Sequence, residues 1–152
     1  MKSLPHRHSV SARAADEGDI LLDSHQLPAL RSGPPEEYGG SGDLWSPETL
    51  LVAAVADCFV LTFRTIARVS KLDWTSLHSS TEGTLDRADG TTRFTRIDTR
   101  AELEVPAGTD LAMARRLLEQ AGAASLIANS LHAEVHVDAV VRPAAAQAEA
   151  TA

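Results

Sequence analysis

The chain has 152 residues and a formal net charge of −7, and its 14 lysines and arginines are spread along the chain, with only Arg115 and Arg116 adjacent. An acidic chain without a basic stripe is a poor partner for nucleic acid. Its single cysteine, Cys58, cannot form an internal disulfide, so the composition does not argue for an oxidising compartment.

The length predicts one domain, which we place at residues 8–143 between a flexible N-terminus, residues 1–7, and an alanine-rich disordered tail, residues 144–152. No apolar stretch follows the basic N-terminus, so no signal peptide is predicted. The longest apolar run, Leu50 to Phe63, is too short to span a bilayer and suits a buried helix. We therefore expect a soluble cytoplasmic protein without a membrane partner.

The first third of the chain predicts short strands and a long loop. Weak alternation over residues 8–13 and the apolar Ile20 to Leu22 flank a turn near Gly18, which indicates a hairpin. Residues 27–45 are rich in proline and glycine and predict a long ordered loop or crossover.

A helix begins sharply after that loop. Ser46 is a good N-cap, Pro47 fits the first helical position, and Glu48 complements the helix dipole. We predict that the helix continues to about Val69 or Ser70. It is apolar on nearly every face until Arg64, which is typical of a helix at the centre of a structure.

Two long strands are predicted next, Thr75–Asp86 and Thr91–Val105, joined by a tight turn at Asp89 and Gly90. The second strand alternates clearly between apolar and charged residues. A slip in that alternation near Asp98 indicates a bulge or a bend.

Thr109 or Asp110 then caps a second helix, which ends near Gly122 and has an apolar inner face of Leu111, Ala114, Leu117, Leu118 and Ala121. A short segment, 124–131, leads to a last strand from His132 to Val141. This order predicts an α+β fold in which an antiparallel sheet wraps around a long buried central helix. Because one small sheet cannot cover every face of such a helix, we also predict an obligate homodimer.

Cys58 lies near the middle of the central helix and has two interpretations. Free cysteines are among the most buried residues, so it could be core filling. It could instead be a reactive thiol. Asp57 beside it would raise a thiol pKa, so activation would need a nearby cation or hydrogen-bond donors.

Glu48 precedes Cys58 by ten positions, which is about 15 Å of rise on one straight helix. The two side chains could therefore meet only across a dimer axis. An acid in the first helical turn also needs no function, since the helix dipole favours it there.

No metal or cofactor site is predicted. His6 and His8 have no third ligand nearby, and the polar residues of the last strand share one face, which we interpret as a solvent face: His132, Glu134, His136 and Asp138. The chain contains no phosphate loop, no dinucleotide fingerprint and no Ser-His-Asp signature.

The segment Ser46 to Phe59 resembles the signature helix of the OsmC/Ohr family, the osmotically inducible and organic hydroperoxide resistance proteins. Two further segments match in order, Pro34 to Gly40 and Ala124 to Leu131. The resemblance covers about residues 8–142. It implies an intertwined α+β homodimer with the long helices at its centre, an active site at the dimer interface, and reduction of organic hydroperoxides.

By position, the resemblance implies that Cys58 attacks the peroxide and that Glu48 holds an arginine which stabilises the thiolate. Arg13 and Arg31 are both candidates for that arginine, with Arg31 slightly favoured. Ser125 occupies the position of the family's second cysteine. A hydroxyl cannot close a disulfide, so the two-cysteine cycle is impossible within this chain.

Two functions remain open. The first is a one-cysteine thiol peroxidase that reduces an apolar organic hydroperoxide with an external thiol reductant, in defence against oxidative stress. The second is a non-catalytic protein of the same fold that binds a hydrophobic small molecule at the dimer interface, with Cys58 as part of the lining.

Overall fold

The structure is a computed structural model that describes residues 3–145. The chain divides into two compact units, Met1–Leu51 and Val52–Ala152. Residues 1–2 of the predicted flexible N-terminus and residues 146–152 of the predicted tail lie outside the described residues.

The first unit contains a small antiparallel sheet in the order β1-β2-β3, with β1 at Ser11–Arg13, β2 at Ile20–Asp23 and β3 at Leu30–Ser32. The predicted hairpin is β1 and β2, and it is confirmed. The prediction of a loop over residues 27–45 is partly wrong. It missed β3, where Leu30 pairs with Leu22, and a 3₁₀ turn at Glu36–Tyr38. Such a three-residue strand is too short to show periodicity.

Helix α1 spans Pro47–Val69, as predicted. The Thr49 backbone N–H donates to Ser46 Oγ at 3.1 Å, and the Ser46 N–H donates to Thr49 Oγ1 at 2.8 Å. This reciprocal cap satisfies donors that a helix start leaves unpaired and contributes about 1 kcal/mol. At the other end Lys71 has a φ of 54°, and the Leu72 N–H donates to the Ala67 carbonyl at 2.9 Å.

In the single chain α1 is buried along one stripe, which consists of Val55, Phe59, Phe63 and Ala67. Leu61 and Val69 lie off that stripe and are 50% and 76% exposed. By length and composition α1 could cross a membrane, with a mean hydropathy of 1.9, although the core helix of a soluble protein passes the same test. The apolar part of α1 is therefore longer than the run from Leu50 to Phe63 on which the sequence prediction was based.

The second unit contains a sheet in the order β4-β5-β6, formed by Ser76–Ala88, Thr91–Val105 and Glu134–Pro143. Strands β4 and β5 form the predicted hairpin. Asp89 and Gly90 at its turn have φ angles of 53° and 78°, which suit a tight hairpin turn of type I′.

The predicted irregularity of β5 is present, but its position was wrong. The register shifts between Thr84 opposite Arg96 and Leu85 opposite Phe94, so the extra residue is Thr95 rather than one near Asp98. The bulge allows Phe94 and Ile97, which are three positions apart, to pack in the same apolar cluster.

The α+β class is confirmed, but the prediction of an antiparallel sheet was wrong for the last strand. Strand β6 runs parallel to β5, from Arg96 opposite Glu134 to Val105 opposite Pro143. Between these strands the chain forms α2 at Leu111–Ala124 and α3 at Leu126–Asn129. A helical crossover returns the chain to the end at which β5 began, and this return is what parallel pairing requires.

Helix α2 begins at the predicted cap, where the Met113 N–H donates to Asp110 Oδ1 at 3.0 Å. Ala114, Leu118 and Ala121 are buried as predicted, whereas Leu111 is 41% exposed and does not belong to the inner face. The predicted solvent face of the last strand is exposed at His132, Glu134, His136 and Asp138.

Two apolar clusters hold the second unit together. The larger one includes Phe59 and Phe63 of α1 with Leu103 of β5 and Leu118 of α2. Phe63 also meets Trp74 edge to face, with ring centroids 5.5 Å apart. The smaller cluster is formed by Val55, Ile97 and Ala128, so α3 packs against α1.

A glycine in β4 permits the close approach of α1 to the sheet. A Cβ atom at Gly83 would lie 2.8 Å from Val52 Cγ2 and 2.7 Å from Phe94 Cε1. These distances are too short for any larger residue unless the helix or the ring moves, so the position favours glycine.

Candidate functional site

Cys58 lies on α1, one position before the buried Phe59, and its thiol is partly buried. Thr62 is one helical turn further on. Its hydroxyl donates to the Cys58 carbonyl at 2.7 Å and lies 4.0 Å from Cys58 Sγ, which is the outer range of a sulfur hydrogen bond. The helical offset of four residues is what places this hydroxyl beside the sulfur.

Helix α3 supplies the other polar groups around the thiol. Its first residues are Leu126 and Ile127, and Ser125 occupies the N-cap position. The backbone N–H groups of a first helical turn have no partner within the helix. Those of Ile127 and Leu126 act instead on the Cys58 sulfur.

Burial raises the pKa of the Cys58 thiol, but hydrogen bonds outweigh it and the pKa is lowered overall. The donors, in order of effect, are the Ile127 backbone N–H, the Ser125 hydroxyl, the Thr62 hydroxyl and the Leu126 backbone N–H. Asp57 is exposed and is not among the groups that shift this pKa. The donors that the sequence analysis required are therefore present without a cation among them.

Ser125 is 1% exposed, and its hydroxyl has no hydrogen-bond partner of ordinary geometry among residues 3–145. Its effect on the Cys58 thiol is therefore that of a neighbouring hydroxyl beyond good hydrogen-bond geometry. The structure thus brings Cys58 and Ser125 together, as their pairing in the resemblance implies.

Glu48 lies in the first turn of α1. Its Oε2 atom is buried and has no hydrogen-bond partner within the described part of the chain. A buried carboxylate oxygen without a donor is costly, so this atom suits a cationic partner.

The two candidate arginines lie on the small sheet of the first unit. Arg31, on β3, donates from Nε to Asp19 Oδ2 at 2.6 Å, and Arg13, on β1, donates from Nη2 to Asp23 Oδ2 at 2.6 Å. Their side chains are 68% and 70% exposed. Because both have a local aspartate partner and similar exposure, these contacts do not favour one arginine over the other.

Sequence reasoning missed Thr62 and the backbone donors of Leu126 and Ile127. A threonine four residues after a helical cysteine is a signal that could have identified Thr62. The backbone donors could not be identified in this way, because they depend on how α3 packs against α1 and not on which side chains α3 carries.

An open groove of about 550 Å³ lies on the solvent face of the second sheet, and its lining does not include Cys58. Its charged groups pair with one another, Arg96 with Asp98 at 2.6 Å and Arg100 with Asp138 at 3.9 Å. The candidate site is therefore at Cys58, the single thiol of the chain, rather than in this groove. Within residues 3–145, no three His, Cys, Asp or Glu side chains are grouped so that they could hold a metal ion.

A family model described as OsmC-like protein matches residues 40–140. The chain belongs to the OsmC-like family. The match includes both Cys58 and Ser125, so the two residues brought together in the structure lie inside the family region. This OsmC-like protein is also 24% identical over 106 residues to the uncharacterized protein YmaD of Bacillus subtilis, covering 68% of this chain and 71% of YmaD.

Solved structures share the fold. An OsmC-like protein of unknown function from Vibrio cholerae gives a TM-score of 0.82 at 18% identity, covering 90% of this chain and 100% of that one. An organic hydroperoxide resistance protein OsmC from Legionella pneumophila gives 0.68 at 24% identity, with coverages of 92% and 98%. One from Elizabethkingia anophelis, with crystallant-derived thiocyanate bound, gives 0.74 at 18% identity, with coverages of 94% and 99%.

The lowered thiol pKa gives the first prediction. Replacing Thr62 by valine removes one of the groups that lower the Cys58 pKa, so this pKa should rise and the pH profile of alkylation should move to higher pH. At neutral pH we expect alkylation to be roughly three- to tenfold slower, the size of one modest hydrogen bond. The measurement is the rate of iodoacetamide modification of the single thiol as a function of pH.

Thr65→Val is the matched control for this experiment. The Thr65 hydroxyl donates to the Leu61 carbonyl at 3.1 Å, just as Thr62 donates to the Cys58 carbonyl, but it is not among the groups that shift the Cys58 pKa. If both variants slow alkylation equally, the effect comes from the helix backbone and the assignment of Thr62 is wrong.

Proposed function

We propose that this OsmC-like protein reduces organic hydroperoxides, with Cys58 as its single reactive thiol and an external thiol as the reductant. The observation that carries the proposal is the set of donors around the Cys58 sulfur, which lowers the thiol pKa against the effect of burial. The thiolate is the nucleophilic form of cysteine, so this environment increases the reactive fraction. Two of the solved proteins with this fold are named organic hydroperoxide resistance proteins, which supports the choice of substrate class.

In the first step the Cys58 thiolate attacks the terminal oxygen of the hydroperoxide. A sulfur–oxygen bond forms, the oxygen–oxygen bond breaks, and its electron pair leaves on the alkoxide, which is released as the alcohol after protonation. The sulfur has then lost two electrons and is a sulfenic acid.

Reduction requires two external thiols, because the position opposite the sulfur carries the hydroxyl of Ser125. The first external thiol attacks the sulfenic sulfur, forms a mixed disulfide and releases water. The second attacks that disulfide, releases the oxidised reductant and restores the Cys58 thiol. A cytoplasmic location is part of the proposal, since reducing thiols are abundant there.

The buried Glu48 Oε2 supports the role that the resemblance implies for this residue. A guanidinium from Arg31 or Arg13 would satisfy this atom with a charge-assisted hydrogen bond. Both arginines would first have to exchange an exposed aspartate partner. Exposed ion pairs of this kind contribute at most about 1 kcal/mol, so the exchange costs little.

Ligand binding without turnover is the second candidate function. The observation that favours it is Ser125, since a chain without a second thiol cannot complete the family's redox cycle alone. In that case Cys58 would contribute to the lining of an apolar site at the dimer interface.

The activity prediction separates the two functions. The protein should consume cumene hydroperoxide in the presence of dithiothreitol, and Cys58→Ser should reduce the rate to that of the reductant alone. Asp57→Asn is the matched control, and it should retain the parent activity because Asp57 does not act on the thiol. Equal rates for Cys58→Ser and the parent would remove the peroxidase function and leave the binding function.

The position of Ser125 gives a third prediction. Ser125→Cys should restore a resolving thiol, so that one equivalent of hydroperoxide yields an internal disulfide with Cys58. Intact mass should then show the loss of two hydrogen atoms, and both thiols should resist alkylation until a reductant is added. A Ser125→Cys protein that accumulates oxygen on Cys58 and never closes the disulfide would contradict this placement of position 125.

We also propose that the protein is a homodimer. The support is the single buried stripe of α1, since apolar side chains off that stripe, including Leu61 and Val69, remain exposed in one chain. A second copy would cover them, as the apolar content of the helix requires.

Sedimentation should give the mass of a dimer, and Leu61→Glu should shift the equilibrium toward monomer by placing a charge on the uncovered face of α1. Leu85→Glu, which alters an exposed leucine of β4 instead, is the control and should remain dimeric. A monomeric parent at micromolar concentration would refute the proposed dimer.

A further inference from the structure

The Ser125 hydroxyl is a buried polar group without a hydrogen bond of ordinary geometry in the described part of the chain. The residue is 1% exposed, and Oγ has no hydrogen-bond partner among residues 3–145. A hydroxyl removed from water without a partner costs about 1–3 kcal/mol. Such a group is uncommon in folded proteins and calls for a physical explanation.

The fold does not need this hydroxyl. Ser125 occupies the N-cap position of α3, but its side chain makes no capping hydrogen bond. Its backbone is already satisfied, because its N–H donates to the Gly122 carbonyl at 3.3 Å and its carbonyl accepts from the Asn129 N–H at 3.0 Å. Alanine would serve the backbone equally well.

The hydroxyl is one of the polar groups close to the reactive sulfur. Ala128 of α3 belongs to the same apolar cluster as Val55, which lies on the turn of α1 that precedes Cys58. Around the sulfur, the Ser125 hydroxyl accompanies the Thr62 hydroxyl, which is 4.0 Å from Sγ and already donates to the Cys58 carbonyl. Ser125 Oγ is therefore the side-chain donor at this site that is left without an acceptor in the thiol form.

We propose that Ser125 donates a hydrogen bond to the sulfenate oxygen of oxidised Cys58, and that this bond protects the sulfenate until an external thiol reduces it. The inference rests on the proposed function and deepens it by assigning Ser125 as a positioning residue. The new oxygen projects from the sulfur by one bond length, so it can form a closer hydrogen bond with this hydroxyl than the sulfur does.

The oxidation balances in atoms and electrons. The thiolate and the hydroperoxide give the sulfenate anion and the alcohol: the sulfur gains one oxygen and loses two electrons, and the hydroperoxide proton leaves with the alcohol. Further oxidation to the sulfinate requires the sulfenate to attack a second hydroperoxide. A hydrogen bond to the sulfenate oxygen withdraws electron density and slows that attack.

Protection matters more here than in a protein with two cysteines. A second thiol would convert the sulfenic acid into a disulfide, which resists further oxidation. With serine at position 125 the sulfenate must instead survive until a diffusing thiol arrives. Ser125 therefore stands in place of the resolving thiol and also supplies the hydrogen-bond donor for the sulfenate.

The test follows Cys58 in the absence of any reductant. The reduced protein is mixed with excess tert-butyl hydroperoxide, and intact mass reports the addition of one and then two oxygen atoms, with dimedone trapping to identify the sulfenate. In Ser125→Ala the second oxygen should be added roughly tenfold faster than in the parent, the size expected for a lost hydrogen bond to an anion. The Ser125→Ala unfolding midpoint should be unchanged or higher, because the variant removes an unpaired hydroxyl.

Ser79→Ala is the matched control. Ser79 Oγ is also buried without a hydrogen-bond partner in the described part of the chain, but it lies on β4 and does not act on Cys58. This variant should leave the sulfenate lifetime unchanged. Ser125→Thr retains a hydroxyl and should restore most of the parent lifetime.

Two results would overturn the inference: equal sulfenate lifetimes in Ser125→Ala and the parent, or a marked loss of stability in Ser125→Ala, which would make the hydroxyl structural. The outcome is independent of turnover. If the parent sulfenate outlives that of Ser125→Ala but is never reduced by thiols, the proposed function is refuted and the protective role of Ser125 stands. Normal turnover with an unaltered lifetime in Ser125→Ala would refute this inference alone.

Discussion

The packing of a four-residue helix against a long one is the contact on which the rest of the site depends. Ala128 of α3, Val55 of α1 and Ile97 of β5 form one apolar cluster, and Val55 lies one turn before the thiol. This small apolar contact directs the unpaired backbone N–H groups at the start of α3 toward Cys58. Without it, only the Thr62 hydroxyl of α1 would oppose the effect of burial, which raises the thiol pKa.

The direction of β6 and the position of α3 have the same cause. Strands β5 and β6 are parallel, so the chain between them must cross from one end of the sheet to the other. That crossover consists of α2, which packs against β6 so closely that a Cβ atom at Gly122 would lie 2.5 Å from Val137 Cγ2, followed by α3. An antiparallel strand could have followed a short turn, and no α3 would then have been available to serve the thiol.

Much of the fold could be predicted from local signals. Ser46 and Asp110 cap the two longer helices, and Asp89 with Gly90 forms the tight turn, because each of these effects involves residues only a few positions apart. The direction of β6 could not be predicted, since the order of elements is the same for either direction. The candidate site, like the fold, could be predicted only in part. The resemblance identified Cys58 and Ser125, whereas the amide donors depend on tertiary packing, for which the sequence offers no local signal.

Leu126 and Ile127 act on the Cys58 sulfur through their backbone N–H groups and not through their side chains. A peptide N–H is common to all residues except proline, so it persists when either side chain is exchanged. The Leu126 side chain is exposed, while that of Ile127 joins the apolar cluster beside the thiol. This part of the lowering of the Cys58 pKa therefore depends on the backbone conformation at the start of α3 and not on which side chains it carries. The side chains of this segment can change between related proteins without removing these two backbone donors.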